Sequence, residues 1–359
     1  MKKKFTVVLF FAIAIIGLPI LAKAEKLTVM TRNLYLGAEI QSLSKVETVG
    51  EFYAGVQAAL AQAAANNFPE RAVTLATEIA EKKPHLVGLQ EVFNYTVNGF
   101  NAQPPFRDYL DDLLQALDDQ GTPYYVAAVV KNFDITLPIN GMEFGVLDRD
   151  VILAREDVDT EIVNLGSFCI RPSLDGCNYQ IVAQFPSPVG PIAFERGFIA
   201  VDTIYGRLFS THLEVRDPDP DNPLSAYIQS VQAAELLAMI NAANVIYPPI
   251  GPVIVVGDIN SSPEHQPAGG IIPTPYTQFI NAGFDDAWTL SPGKPKGFTC
   301  CYAENLSELA DLYERVDMIF TDTLPLNVKA NVVGNDESGQ TPSGLWPSDH
   351  AGVVATMEF

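Results

Sequence analysis

The chain has 359 residues, with 22 lysines and arginines against 43 aspartates and glutamates, for a formal net charge of −21. A surface this acidic repels polyanions at long range and gains no counterion release on DNA, which weighs against a protein that holds nucleic acid by charge. It leaves room for an enzyme whose bound cations offset the charge locally.

The first residues read as an export signal. Lys2, Lys3 and Lys4 precede the apolar run "FTVVLFFAIAIIGLPILA", and Ala22-Lys23-Ala24 has small residues at cleavage spacing. The run is long enough to stay as a membrane anchor, but Pro19 and the Ala-x-Ala favour cleavage after Ala24. Residues 1–24 are therefore expected as a signal peptide, with a secreted or periplasmic product. Cleavage takes four lysines and no acids, moving the net charge from −21 to −25. No later stretch is apolar enough to span a bilayer. No linker, repeat or low-complexity block interrupts residues 25–359, which reads as one domain.

Along the chain, "KLTVMTR" predicts a strand running into "NLYLG". Residues 51–65 and 69–83 are helical in pattern, and Pro84 stops the second. "HLVGLQEV" (85–92) is an apolar run that suits a buried strand. Residues 106–119 predict an acidic amphipathic helix, and "YYVAAVV" and "GVLDRDVILA" strands. "YQIVAQF", "IAFERGFIAVDTI" and "GRLFSTHLEV" predict further strands. Residues 222–243 form the best helical pattern, with Ala233, Leu236, Leu237 and Ile240 on one face. "PVIVVGDIN", "RVDMIF" and "AGVVATMEF" close the series. Strands joined by short turns, mixed with helices, predict an α+β fold rather than a βαβ series.

Four cysteines, at 169, 177, 300 and 301, allow three pairings. The short loop "CIRPSLDGC" favours Cys169–Cys177, and a vicinal Cys300–Cys301 bond is the corollary. No basic neighbour in sequence marks Cys300 as a nucleophile. "EVRDPDPDNP" (214–223) reads as a rigid solvated turn, with a Ca²⁺ loop as its rival.

Polar residues recur where apolar runs end: Asn33, Glu91, His212, Asp258, Asn260, Asp317, Asp349 and His350. Each alone has a plain structural reading: a turn for Asn33, a helix cap for Asp258, an ion pair with Arg315 for Asp317. Together they predict more. Several carboxylates on one rim repel one another and stay ionised only beside a cation. Asparagine and carboxylate oxygens suit a hard ion, Mg²⁺ or Mn²⁺. Two histidines beside it suit a phosphoester: one imidazole takes a proton from water, and the other holds the developing phosphorane oxygens. His85 and His265 are expected outside the site.

The ordered set "RNLYLG … LQEV … RG … STHLE … VVGDIN … ERVDMIF … PSDH" resembles the endonuclease/exonuclease/phosphatase superfamily, which groups nuclease-I-type deoxyribonucleases, abasic-site endonucleases, neutral sphingomyelinases and inositol polyphosphate 5-phosphatases. "GDIN" and "SDH" are its strongest parts, and "RG" is the weakest. The resemblance implies a four-layer sandwich of two packed mixed β-sheets flanked by α-helices. It implies Asn33, Glu91 and Asp349 on the metal side. It implies Asp258 and Asn260 orienting water, leaving group and phosphate, His350 as catalytic histidine oriented by Asp317, and His212 on the phosphate. Arg149 is a candidate for substrate phosphate, with pairing to Asp148 or Asp150 as its rival role. The expected activity is Mg²⁺-dependent phosphodiester hydrolysis by in-line attack of water. An extracellular nuclease comes first and a sphingomyelinase-like phospholipid phosphodiesterase second. A catalytically silent secreted binding module is the alternative of another class.

Overall fold

A computed structural model describes residues 26–99, 107–217, 222–293, 296–308 and 311–359. The expected export segment and part of the 214–223 loop lie outside these residues.

Strand β1 (Lys26–Asn33) leads to helices α1 (Val49–Ala65) and α2 (Phe68–Lys82). Thr48 and Glu51 form a capping box that satisfies the first free N–H groups of α1. Strands β2 (Leu86–Gln90) and β3 (Asn94–Gly99), helix α3 (Tyr109–Asp119), and strands β4 (Tyr124–Ile139) and β5 (Met142–Arg155) follow. The last two form one long hairpin. Its turn is Asn140-Gly141, both left-handed (φ 53° and 79°), the pair that a two-residue turn matched to strand twist requires. The sequence reading ends these strands early, because the polar stretch 131–136 hides their continuation.

Strands β6 (Gly197–Thr203) and β7 (Gly206–His212), helix α4 (Leu224–Ile246), strand β8 (Val253–Asp258), helix α5 (Pro275–Asn281), and strands β9 (Asp317–Thr321), β10 (Asn327–Val333) and β11 (Gly352–Glu358) complete the main framework. Two expectations change. "YQIVAQF" is strand only over Ala183–Phe185, and "IAFERGFIAVDTI" breaks at Glu195-Arg196 into Ile192–Phe194 and β6. Strand β10 was not expected: it buries Val328, Ala330 and Val333, while exposed Lys329 interrupts the apolar run.

One sheet runs β10-β11-β1-β2-β5-β3, with β4 also paired to β5 and Arg107–Asp108 at the edge beside β3. The other runs β9-β8-β7-β6, extended by short strands at both ends. Between them lies an apolar layer that includes Val29, Ile152, Ile199, Leu208, Ile254, Val256 and Val353. α2 and α3 cover the outer face of the first sheet through Leu75, Ile79, Leu113 and Leu117. α4 and α5 cover the second through Leu236, Ile240 and Phe279. The architecture is the α/β/β/α four-layer sandwich. Strand β8 explains why the central runs read as continuously apolar: Val253 and Val255 face the helices while Ile254 and Val256 face the other sheet.

Candidate active site

The expected polar residues meet because strand register aligns them. β1 and β2 are parallel with Asn33 opposite Gln90, so Glu91 leaves β2 beside Asn33. In the second sheet His212 lies opposite Asp258, and Asp258 opposite Asp317. His350 precedes β11, whose first residues pair with the last of β1 (Val353 opposite Thr31), so His350 stands at the same end. Tyr35, Glu91 and Asn260 all have left-handed backbones (φ 61°, 57° and 49°). For non-glycine residues this costs free energy and persists where surroundings over-determine it, as at functional sites. Gly257 (φ 152°) is required by close approach, since a Cβ there would lie 1.9 Å from the Thr211 carbonyl oxygen.

Asp258 is the hub. Its Oδ2 receives Asn33 Nδ2 at 3.2 Å and lies 3.4 Å from His212 Nε2 and 3.8 Å from His350 Nε2. Its Oδ1 accepts the Asn260 N–H at 2.9 Å. Asn33 Nδ2 also donates to Glu91 Oε1 (3.0 Å), and Glu91 Oε2 accepts the Leu36 N–H (2.7 Å). His350 Nδ1 is 2.9 Å from Asp317 Oδ2, leaving Nε2 to face Asp258. Asn260 Nδ2 lies 3.2 Å from His212 Nε2 and donates to the Leu213 carbonyl.

The two imidazoles are driven apart electrically. Burial opposes a charge on His350, but Asp317, Asp258 and Asp349 outweigh it and raise the pKa well above the usual histidine range. Burial, with Arg196 and His350 adding to it, pushes His212 well below that range. Arg196 Nη1 is 2.9 Å from His212 Nδ1, and a guanidinium can only donate. His212 is thus neutral, accepts at Nδ1 and carries its proton on Nε2, toward Asp258.

Three arginines that the sequence reading passed over shape the site. Arg196 contacts His212; its only sequence mark is the short "RG". Arg32, fully buried, pairs with Glu78 (Nε–Oε2 3.0 Å) and donates to the His350 carbonyl. Arg71, also fully buried, donates to the carbonyls of Leu34 (2.7 Å) and Pro347 (2.9 Å), tying the β1 exit to the loop before His350. Ser348 does the same with one hydroxyl: Oγ donates to the Asn33 carbonyl (2.8 Å) and accepts the His350 N–H (3.1 Å).

The rival role expected of Arg149 needs a correction. Arg149 pairs with neither Asp148 nor Asp150, because neighbours on a strand point to opposite faces. It reaches Asp108 (2.5 Å) and the Val92 carbonyl (3.1 Å), and Asp108 caps α3. Arg196 instead reaches a clustered side chain, His212, directly. His265 pairs with Glu314 (3.2 Å), and His85 accepts the Thr28 N–H (3.0 Å). Both lie outside the constellation, and Arg315 pairs with Asp286 rather than Asp317.

Cys169 bonds Cys177, and Cys300 bonds Cys301. The second pair borders the site, with Cys301 Sγ 4.0 Å from His350 Nε2.

A hard cation fits this donor set. Burial raises the Asp349 carboxyl, with Glu91 adding to the rise against the pull of His350. Burial likewise raises Asp258, again against His350 and with Asp317 and Glu91 adding. Carboxylates forced together in this way lack positive charge, and Asp317 Oδ1 is buried with no hydrogen-bond partner among the described residues. Glu91 lies near enough to Asp349 to raise its carboxyl, and the two would be the residues to share such an ion. Asn33 now offers its N–H₂ to the carboxylates while its Oδ1 accepts the Tyr35 N–H (2.9 Å), so ligation through Oδ1 requires the amide to turn.

A sequence model of the Endonuclease/Exonuclease/phosphatase family matches residues 49–350. No functionally curated protein matches the chain. Among solved structures, a family protein from Leptotrichia buccalis superposes with a TM-score of 0.52 at 18% identity, covering 93% of this chain and 100% of its own. One from Beutenbergia cavernae gives a TM-score of 0.50 at 16% identity, covering 93% and 72%. At these identities the likeness concerns the fold.

Proposed function

The chain belongs to the endonuclease/exonuclease/phosphatase family, whose members are phosphoric ester hydrolases, and from that premise we propose that it hydrolyses a phosphodiester by metal-assisted attack of water. The convergence of Asn33, His212 and His350 on Asp258 Oδ2, at 3.2 to 3.8 Å, carries the reading.

Glu91 and Asp349 would hold a divalent cation, Mg²⁺ or Mn²⁺, which would supply positive charge for the oxyanion that develops on phosphorus. Asp258 orients the attacking water and accepts its proton. This departs from the sequence expectation of an imidazole base: His350 is held as a cation, and Nδ1 of His212 is taken by Arg196. His350, fixed at Nδ1 by Asp317, aims Nε2–H at the developing charge. His212 and Asn260 donate to the same phosphoryl group, and Arg196 fixes the tautomer that lets His212 do so.

The surroundings favour an amphiphilic phosphodiester, a phospholipid, over nucleic acid. A cleft of about 100 Å³ with almost purely apolar walls is lined by Leu36, Phe93, Tyr95, Phe133, Ile135 and Phe194, among others. It begins at the metal side, since the Leu36 N–H binds Glu91 and Phe93 follows Glu91 by two residues. Around the same end, Glu39 and Glu304 raise the negative charge that a polyanion would meet. The test incubates residues 25–359 with Mg²⁺ or Mn²⁺ and either phosphatidylcholine or sphingomyelin vesicles or supercoiled plasmid. Release of a phosphorylated headgroup without plasmid nicking supports the lipid reading. Nicking without headgroup release returns the substrate to nucleic acid.

A further inference from the structure

The layer between the sheets is apolar at one end and acidic at the other. On β5, residues 148, 150, 152 and 154 share the inner face by alternation. Ile152 and Ala154 belong to the apolar core; Asp148 and Asp150 continue the same stripe at 2% and 0% exposure. Across the hairpin, Val130 pairs with Asp150, and Asn132 lies beside both carboxylates at 2% exposure. Gly197 makes room for it: a Cβ there would lie 3.1 Å from Asn132 Oδ1 and 2.8 Å from the Cys177 carbonyl oxygen.

These side chains are not fully satisfied by the protein: Asn132 comes near enough to the Asp148 and Asp150 carboxyls to oppose their rise, but beyond the reach of a normal hydrogen bond. Among the described residues, neither oxygen of Asp150, neither polar atom of the Asn132 side chain, nor Oδ1 of Asp148 has a hydrogen-bond partner. Buried polar groups left in that condition are rare and costly. The local charge does not balance either. Arg196, 3.8 Å from Asp148, is the guanidinium here, and it faces Glu214, Asp148, Glu91 and Asp150. If an ion neutralises Glu91 in the catalytic centre, three carboxylates still face one arginine. Asn132 also borders an open cleft of about 620 Å³, beside Lys131, Asp134 and Glu195.

We propose that Asp148, Asp150 and Asn132 form a second cation site, behind the catalytic centre, which takes a hard divalent ion and prefers Ca²⁺. The donors are all oxygen, which excludes soft ions. Ca²⁺ accepts irregular geometry and protein ligands, whereas Mg²⁺ demands a near-ideal octahedron and keeps several waters, which does not suit donors at 2% exposure or less. The ion balances the carboxylates around Arg196 and so holds the guanidinium against His212. The rival state is a protonated Asp150, toward which burial and Asp148 push its carboxyl. The proposal does not depend on the phosphodiesterase reading.

Tb³⁺ is the probe, excited through tyrosine, because Tyr179 lies close enough to Asp150 to feel its charge. The chelator-stripped protein is titrated with Tb³⁺ and then with Ca²⁺, and the melting temperature is followed with Ca²⁺. Wild type and Glu91→Gln should both give Ca²⁺-competed luminescence and a Ca²⁺-dependent rise in Tm. Asp150→Asn should weaken both by about tenfold or more in affinity. Asn132→Leu carries the same expectation should Asp150→Asn fail to fold. Equal Ca²⁺ binding in both site variants, or no Ca²⁺-competed signal in wild type, overturns the proposal. Loss of the signal in Glu91→Gln alone also overturns it, because the catalytic centre is then the only site.

Discussion

Replacing Ser348 with alanine tests how the site is held together. The Ser348 side chain is fully buried; its Oγ–H donates to the Asn33 carbonyl at 2.8 Å, its Oγ accepts the His350 N–H at 3.1 Å, and Asp349 Oδ1 lies 3.3 Å away. Alanine keeps the volume almost unchanged, so cavity terms are small. The His350 N–H is left with no acceptor, and the Asn33 carbonyl keeps only a long contact from Arg32 Nη1 at 3.5 Å. A buried group stranded in this way costs about 1–3 kcal/mol, so the two together predict a loss of about 2–4 kcal/mol. Urea denaturation at pH 7 measures it, with the slope checked for unchanged exposure on unfolding. Turnover of a small diester should fall as well, because His350 and Asn33 lose their common tie. A Ser348→Ala variant within about 0.5 kcal/mol of wild type, with unchanged turnover, would refute the reasoning.

Arg196→Met should lower kcat/KM by about 100-fold, since it frees His212 Nδ1 and removes a positive charge from the phosphate end. Arg149→Met should leave kcat/KM nearly unchanged and destabilise the start of α3, as its partners are Asp108 and Val92; steady-state kinetics and melting of the two variants separate these roles. His85 has a lowered pKa through burial, then Arg155, while its Nδ1 accepts the Thr28 N–H. Its contribution is present above the unfolded value near 6.5 and is lost as pH falls through the folded value. The stability of His85→Asn should therefore vary less with pH below 6.5 than that of wild type, as read by urea midpoints. Ile135→Asp should reduce vesicle hydrolysis by about tenfold through the apolar cleft and spare a soluble diester; equal losses on both substrates would remove the cleft from the lipid reading.

Order along the chain was enough to pick out Asn33, Glu91, His212, Asp258, Asn260, Asp317 and His350, because each ends an apolar run and strand register then gathers strand ends. The α+β class followed from the same runs, and the four-layer sandwich from the family resemblance. What escaped the sequence was mostly long-range. Arg32, Arg71 and Ser348 act on backbone carbonyls and N–H groups, and no local pattern announces a partner 315 residues away. Arg196 was hidden inside a segment read as continuous strand, although the chain breaks there. Arg149 was read as a phosphate candidate with its nearest acids as rival partners, whereas alternation on β5 sends those acids into the inter-sheet layer and the arginine outward. The same alternation, applied to "LDRDVILA", would have flagged two inward carboxylates in an apolar stripe.

The most direct test is hydrolysis of bis(4-nitrophenyl) phosphate by residues 25–359, with Mg²⁺ or Mn²⁺ and with chelator, beside Glu91→Gln and His350→Ala, each shown to be folded by circular dichroism. The account predicts metal-dependent turnover by wild type, abolished by chelator and reduced about 1,000-fold or more in both variants. Turnover near the wild-type level in either folded variant, or none from folded wild type with either metal, would contradict it.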